Sequence, residues 1–158
     1  MDEDSQAFGR ELMLRSPAET EALGARIAAG LRLGTAVALE GDLGAGKTVL
    51  ARAILWALGV DEDVPSPTFT LVQSYETPAL PLRHYDLYRV ENADEMRELG
   101  LEEALDEGAA LIEWPERAAA YIPEDALHVR LEIVGENSRR AHLSGPSRWA
   151  REFPAEKS

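Results

Sequence analysis

The sequence predicts an α/β fold organised around a phosphate-binding loop, and three observations carry that prediction. The first is Gly41-Asp42-Leu43-Gly44-Ala45-Gly46-Lys47-Thr48, which fits the pattern G-x-x-x-x-G-K-[ST]. The second is the apolar, β-like run Thr35 to Glu40 that enters it. The third is the alanine-rich helical segment Val49 to Leu58 that leaves it and stops at Gly59. Strand, glycine loop and helix in that order is the context the motif requires. With 12 Gly, two Lys and 14 Ser plus Thr in 158 residues, chance would produce the pattern at roughly one in a thousand, so the spacing alone is a strong signal.

The chemistry of the loop follows from its residue types. Glycines let successive backbone N–H groups converge on an anion, and the helix that follows adds its free N–H groups and the positive end of its dipole. The nucleotide-binding set is therefore Asp42, Leu43, Gly44, Ala45, Gly46, Lys47, Thr48 and Val49. Lys47 is placed to reach the β- and γ-phosphates of a nucleotide, and the Thr48 hydroxyl to ligate Mg²⁺. The other lysine is at position 157, so Lys47 has no substitute nearby in the sequence.

Length and composition set the remaining bounds. A chain of 158 residues fills one well-buried core and is too short for two ordinary domains. A single domain over 1–158 is expected, with flexible ends at about 1–6 and 147–158. No apolar stretch approaches membrane-spanning length, and the acidic start Met1-Asp2-Glu3-Asp4 is the opposite of a secretory or mitochondrial leader, so a cytoplasmic location is expected. The absence of cysteine excludes disulfides and thiolate metal sites. The three histidines, His84, His128 and His142, are dispersed and form no ligand motif. A formal net charge of −13 argues against stand-alone DNA or RNA binding, which needs clustered Lys and Arg, and favours solubility or a basic partner.

Taken in order, the chain offers a strand at Phe8 to Leu14. A capping box with Pro at the first helical position follows at Ser16-Pro17-Ala18-Glu19. That helix runs to about Leu31 with Leu23, Ile27 and Leu31 on one stripe; it covers the sheet, and its start has a second reading as a border of the nucleotide. After the loop helix, two prolines around Ser66 fix an extended segment, and Phe69 to Tyr75 reads as a strand. Ser66, Pro67, Thr68 and Phe69 have two readings, a γ-phosphate-sensing switch or an ordinary turn into an edge strand. Leu82 to Val90 alternates, with His84, Asp86 and Tyr88 on one face. Ala93 to Asp106 is an acidic, solvent-facing helix broken near Gly100. Ala109 to Glu113 is a buried strand ending in a carboxylate, where ligands bind in α/β sheets, so Glu113 is a candidate for orienting Mg²⁺ or the attacking water. Trp114 is read as packing. A short helix at Glu116 to Ala120, a hairpin of Leu127 to Val134 with Arg139 to Ser144, and a loosely packed tail from Pro146 complete the chain.

Four pieces in this order, GDLGAGKT (41–48), SPTFTLV (66–72), HYDLYR (84–89) and IEWPER (112–117), resemble the bacterial TsaE (YjeE) family. These are the P-loop ATPases of tRNA threonylcarbamoyladenosine synthesis. The resemblance implies a P-loop NTPase-like three-layer α/β sandwich with a mixed central sheet, and an ATPase that is weak alone. It also implies a TsaB–TsaD complex as partner, with tRNA met only through that complex. It carries Lys47 and Thr48 over as phosphate and Mg²⁺ ligands, Asp86 and Glu113 as the acidic positions of their motifs, and Ser66 to Phe69 as the switch-like segment. Val49 departs from the family, many members of which have a second Thr there, and this removes a hydroxyl that would reach an inner phosphate.

The expected mechanism is electrostatic. Mg²⁺ and Lys47 offset charge on the β,γ-phosphates, Thr48 binds the metal, and Asp86 and Glu113 hold its remaining waters. One of the two, by preference Glu113, aligns the attacking water. No arginine finger is evident, so the missing charge comes from a partner or from an internal residue such as Arg89. Three rivals share the loop. A small-molecule kinase lacks its arginine-rich lid here, a GTPase lacks the N-K-x-D guanine motif, and a nucleotide-gated binding module would use hydrolysis only to reset an association.

Overall fold

The computed structural model describes residues 7–61 and 71–154. Among the described residues seven strands form one sheet in the order β1-β7-β6-β2-β5-β4-β3. They are β1 (Ala7–Leu14), β2 (Ala36–Gly41), β3 (Val72–Glu76), β4 (Pro81–Asp86), β5 (Ala109–Glu113), β6 (Leu127–Ile133) and β7 (Arg139–Pro146). β6, β2, β5 and β4 are parallel neighbours. β3 adds to β4 antiparallel, and β7 and β1 close the other side antiparallel. The sheet is therefore mixed, and its parallel centre carries the strand that feeds the glycine loop.

Alternation along the central strands explains the layers. Val37 and Leu39 of β2, and Ala109 and Leu111 of β5, face α1 (Pro17–Ala29) and α2 (Lys47–Ala57), where Leu23, Ile27, Leu50 and Ile54 meet them. Ala36, Ala110 and Ile112 point the other way, into a second cluster with α3 (Glu95–Glu98), α4 (Leu101–Glu107) and the 3₁₀ segment Pro115–Tyr121. Strands buried on both faces read as continuous apolar runs, as β2 and β5 do. The result is the three-layer α/β sandwich with a mixed sheet. β4 is likewise buried on both faces, with His84, Tyr85 and Asp86 all inside.

The helix starts follow their local chemistry. Ser16 caps α1 by accepting from the Glu19 amide at 3.3 Å, and Pro17 is its first residue. The capping box is incomplete, because the Glu19 carboxylate reaches the Arg15 amide instead, at 2.7 Å. α1 and α2 cross closely at Gly24, where a Cβ would stand 2.6 Å from the Ala53 Cβ.

Two expectations are corrected. The acidic segment Ala93 to Asp106 is not simply solvent-facing: it forms two short helices whose Met96, Leu101 and Ala104 are buried against the sheet. The end of the chain is not loosely packed where it is described. Ser147–Arg151 forms a 3₁₀ segment, and Trp149 and Phe153 are buried in the α1 side of the core. Its anchor is Gly30, which leaves room for the Trp149 ring, while Arg148 donates to the Gly30 carbonyl and to the Thr35 hydroxyl, each at 2.9 Å. Boundaries moved modestly: α2 begins at Lys47, the strand expected over Leu82 to Val90 is Pro81–Asp86, and of the strand expected over Phe69 to Tyr75 the described part is Val72–Glu76, Phe69 and Thr70 lying outside the described residues.

Candidate functional site

The glycine loop leaves β2 at its C-terminal end and turns straight into α2. Gly41 has φ +146° and a Cβ there would stand 2.7 Å from the Leu131 carbonyl oxygen, so the strand end is pressed against β6 in a way only glycine allows. Gly46, the first residue before α2, has φ +106° and leaves the helix without a side-chain cap. The amides of the first turn are thus not taken by a side chain at the cap, which is the geometry an anion occupies at a helix N-terminus.

A cavity of about 380 Å³ opens over this turn. Leu43, Gly44, Gly46, Lys47, Thr48 and Val49 line one side of it, and Asp86, Tyr88, Glu113 and Trp114 the other. Besides β2, the strands β4 and β5 end here, each in a carboxylate. β4 and β5 run parallel with Asp86 level with Glu113, so two residues 27 positions apart become neighbours at the same sheet end. Both are buried, at 4% and 2% exposure. Asp42 and Ala45 stand outside this lining: Asp42 is exposed and contributes its carbonyl to Lys47, while Ala45 is packed inward.

The polar contacts converge on two side chains. The Thr48 hydroxyl donates to Glu113 Oε1 at 2.9 Å, and His84 Nε2 lies 2.6 Å from Glu113 Oε2. Asp86 accepts from the Tyr88 amide at 3.0 Å. The Lys47 ammonium donates to the Gly41 and Asp42 carbonyls and lies over the Trp114 ring, 3.9 Å from its centroid. Burial lowers the Lys47 pKa from the ordinary lysine value, against the opposing pull of Glu113, Glu116, Asp86 and Asp42. Among the described residues no group of three His, Cys, Asp or Glu side chains forms a cage for a metal ion by itself. The donor set of one hydroxyl and two carboxylates instead fits Mg²⁺, a hard ion that takes few protein oxygens and completes its shell with water and phosphate.

Several functional candidates were not singled out from the sequence. Trp114 has φ +59°, a left-handed conformation rare for a bulky residue, and it directly follows Glu113. Its indole lines the cavity, with the Tyr88 ring tilted at 52° to it and 4.9 Å away between centroids, and it also packs against the second core cluster. His84 is fully buried beside Glu113. Arg139 reaches from the hairpin to the outside of the glycine loop and donates to the Ala45 and Gly44 carbonyls, both at 3.1 Å. Only the presence of His84 in the alternating face with Asp86 hinted at any of these.

A second cavity, of about 170 Å³, lies on the other side of Gly46 and Val49, which border both. Ser16, Pro17 and Thr20 at the start of α1 line it, together with Leu131, Glu136, Asn137 and Arg139. Arg89 is exposed and lies outside the lining of the first cavity. The proline-bracketed Ser66, Pro67, Thr68 and Phe69 lie outside the described residues. No helix among the described residues is long and apolar enough to cross a membrane.

Known proteins resemble this chain over most of its length. A family profile described as threonylcarbamoyl adenosine biosynthesis protein TsaE matches residues 14–141. The tRNA threonylcarbamoyladenosine biosynthesis protein TsaE of Rickettsia bellii is 37% identical over 140 residues, covering 88% of this chain and 97% of the relative. The protein of the same description from Bacillus subtilis is 38% identical over 125 residues, 78% of each chain. Among solved structures, the crystal structure of Bacillus subtilis YdiB is similar with a TM-score of 0.78 at 29% identity, covering 94% of this chain and 93% of that one.

Proposed function

This chain belongs to the TsaE family, and from that membership and the geometry around Lys47 we propose that it binds and hydrolyses ATP with Mg²⁺. In this reading it is the nucleotide-using component of tRNA threonylcarbamoyladenosine formation, works in the cytoplasm with a TsaB–TsaD complex, and meets tRNA through that complex. The observation that carries the proposal is the 2.9 Å hydrogen bond from Thr48 to Glu113 at the foot of a helix that has no side-chain cap. It ties the hydroxyl of the glycine loop to a carboxylate from a neighbouring parallel strand, which is what a metal–phosphate site asks of a protein.

The residues divide the work by position. The loop amides and the α2 N-terminus hold the β- and γ-phosphates. Lys47 exchanges its Gly41 and Asp42 carbonyl partners for phosphate oxygens. Thr48, whose hydroxyl donates its hydrogen bond to Glu113, keeps its lone pairs and would hold Mg²⁺ through them. Glu113 and Asp86 would hold the ion's water shell, and Glu113, at the strand end, would align the attacking water. Mg²⁺, when bound, offsets the charge that builds on the transferring phosphoryl group. The adenosine extends past Val49 into the second cavity, with Leu131 and Pro17 as apolar walls and Glu136 and Asn137 as polar edges. Ser66 to Phe69 serve as the nucleotide-sensing segment.

The test is ATP hydrolysis by the purified protein, alone and with TsaB–TsaD, with Lys47→Ala as control. Stimulation by the pair that disappears in the control supports a partner-activated ATPase. Nucleotide binding without stimulation removes the partner assignment.

A further inference from the structure

Glu113 is held from two sides. The register of β4 on β5 sets Leu82, His84 and Asp86 on the same face of the sheet as Ala109, Leu111 and Glu113, with His84 one step below the carboxylate. Its Nε2 meets Oε2 at 2.6 Å while Thr48 occupies Oε1 at 2.9 Å. A glutamate has three rotatable side-chain bonds, so a single hydrogen bond would leave its head free to swing; two bonds to opposite oxygens fix its plane. His84 has 0% exposure, and its Nδ1 has no hydrogen-bond partner among the described residues. A buried imidazole with one ring nitrogen unsatisfied is costly to keep, and among the described residues its ring bonds Glu113.

We propose that His84 is a positioning residue whose Nε2–H locks the Glu113 carboxylate in the orientation that receives Thr48 and faces the metal–nucleotide complex. The tautomer that serves this role is the one that carries its proton on Nε2 and donates it to the carboxylate. The inference rests on the reading of Glu113 as a metal-facing group. Partners of this kind behind a ligating or water-holding carboxylate typically change metal affinity by 10–100-fold when removed.

The test is binding rather than turnover. Affinity for a non-hydrolysable ATP analogue is measured by calorimetry in EDTA and across a MgCl₂ titration, for wild type, His84→Leu, His84→Gln and His84→Asn. Glutamine places its amide N–H where Nε2 lies; asparagine is too short to reach Glu113, and leucine has no donor. The expected result is unchanged affinity in EDTA for all four proteins. The tightening that MgCl₂ brings should fall about 10-fold in the Leu and Asn variants and be retained in Gln. Asn and Gln form the decisive pair should Leu fail to fold. Equal tightening in Gln and Asn overturns the proposal, and so does loss of analogue affinity in EDTA for the Asn variant. Whether wild type hydrolyses ATP is read separately: a wild type that binds with Mg²⁺ but never turns over defeats the ATPase reading and leaves the His84 result standing.

Discussion

The Lys47 ammonium lies 3.9 Å from the centre of the Trp114 ring while donating to the carbonyls of Gly41 and Asp42. The loop's own lysine is thus satisfied by backbone and by an aromatic face contributed from the end of β5. A cation over an indole is worth about 0.5–2 kcal/mol, small beside the charge of a triphosphate, so phosphate draws the lysine away from the ring.

Trp114 should therefore report nucleotide binding. Adding ATP and Mg²⁺ is expected to change tryptophan emission, and Trp114→Phe is expected to bind with affinity within about threefold and show no change, because Trp149 is buried in the core and Trp56 lies outside the lining of either cavity. A fluorescence titration of both proteins checks this; a Trp114→Phe signal equal to wild type would assign the change to another ring.

Replacing Glu113 should separate binding from chemistry. Glu113→Ala is expected to abolish measurable turnover, a loss of about 10²–10³-fold or more, while nucleotide affinity in EDTA is spared, because the loop amides and Lys47 remain. Steady-state hydrolysis alongside calorimetric binding decides it. Turnover at the wild-type rate would remove Glu113 from the mechanism.

Arg139 should act on the loop from behind. Its guanidinium bonds the Gly44 and Ala45 carbonyls as well as those of Gly135 and Ser138. Each such charge-assisted bond contributes on the order of 1 kcal/mol or more, so Arg139→Ala should weaken nucleotide affinity about 10-fold with a nearly unchanged maximal rate. Arg139→Lys should not rescue it, since an ammonium lacks the planar fork. Binding and hydrolysis curves for the two variants, with melting temperatures as control, provide the check.

Gly24 is a packing position. Its absent Cβ would stand 2.6 Å from the Ala53 Cβ and 3.0 Å from the Ala53 carbonyl carbon. Gly24→Ala should gain helix propensity of about 1 kcal/mol yet force α1 off α2, and Gly24→Val should destabilise by a net 1–3 kcal/mol, roughly. Gly9→Ala, with nothing within 4 Å, is the control expected to leave the melting temperature almost unchanged. Thermal unfolding of the three variants distinguishes crowding at the crossing from a general intolerance of substitution.

Much of the centre of the molecule was legible because its signals are local. The glycine loop, the apolar strands β2 and β5, the cap at Ser16 and the carboxylates at Asp86 and Glu113 each announce themselves within a few residues. The acidic segment around α3 and α4 was misread for a related reason. Its abundant Glu residues mask the sparse stripe of Met96, Leu101 and Ala104 that the sheet buries. Trp149 was read as part of a loose end because nothing near it in sequence shows that Gly30, over a hundred residues earlier, leaves it a slot.

By itself the sequence determined that a phosphate-binding loop sits between a strand and a helix, and that Glu113 ends a buried strand, whereas it ran the strand of Asp86 on to Val90 and so did not show that Asp86 ends one too. Only the tertiary structure decided that Thr48, His84 and Glu113 form one bonded group, that Trp114 meets Lys47, and that Arg139 holds the loop from outside. The physical reason is the range of the forces involved. Hydrophobic period and backbone preference act over a turn or a strand, whereas a hydrogen bond at 2.6 Å or 2.9 Å depends on which strands pair and in what register. That pairing is settled by burial of the whole sheet at once.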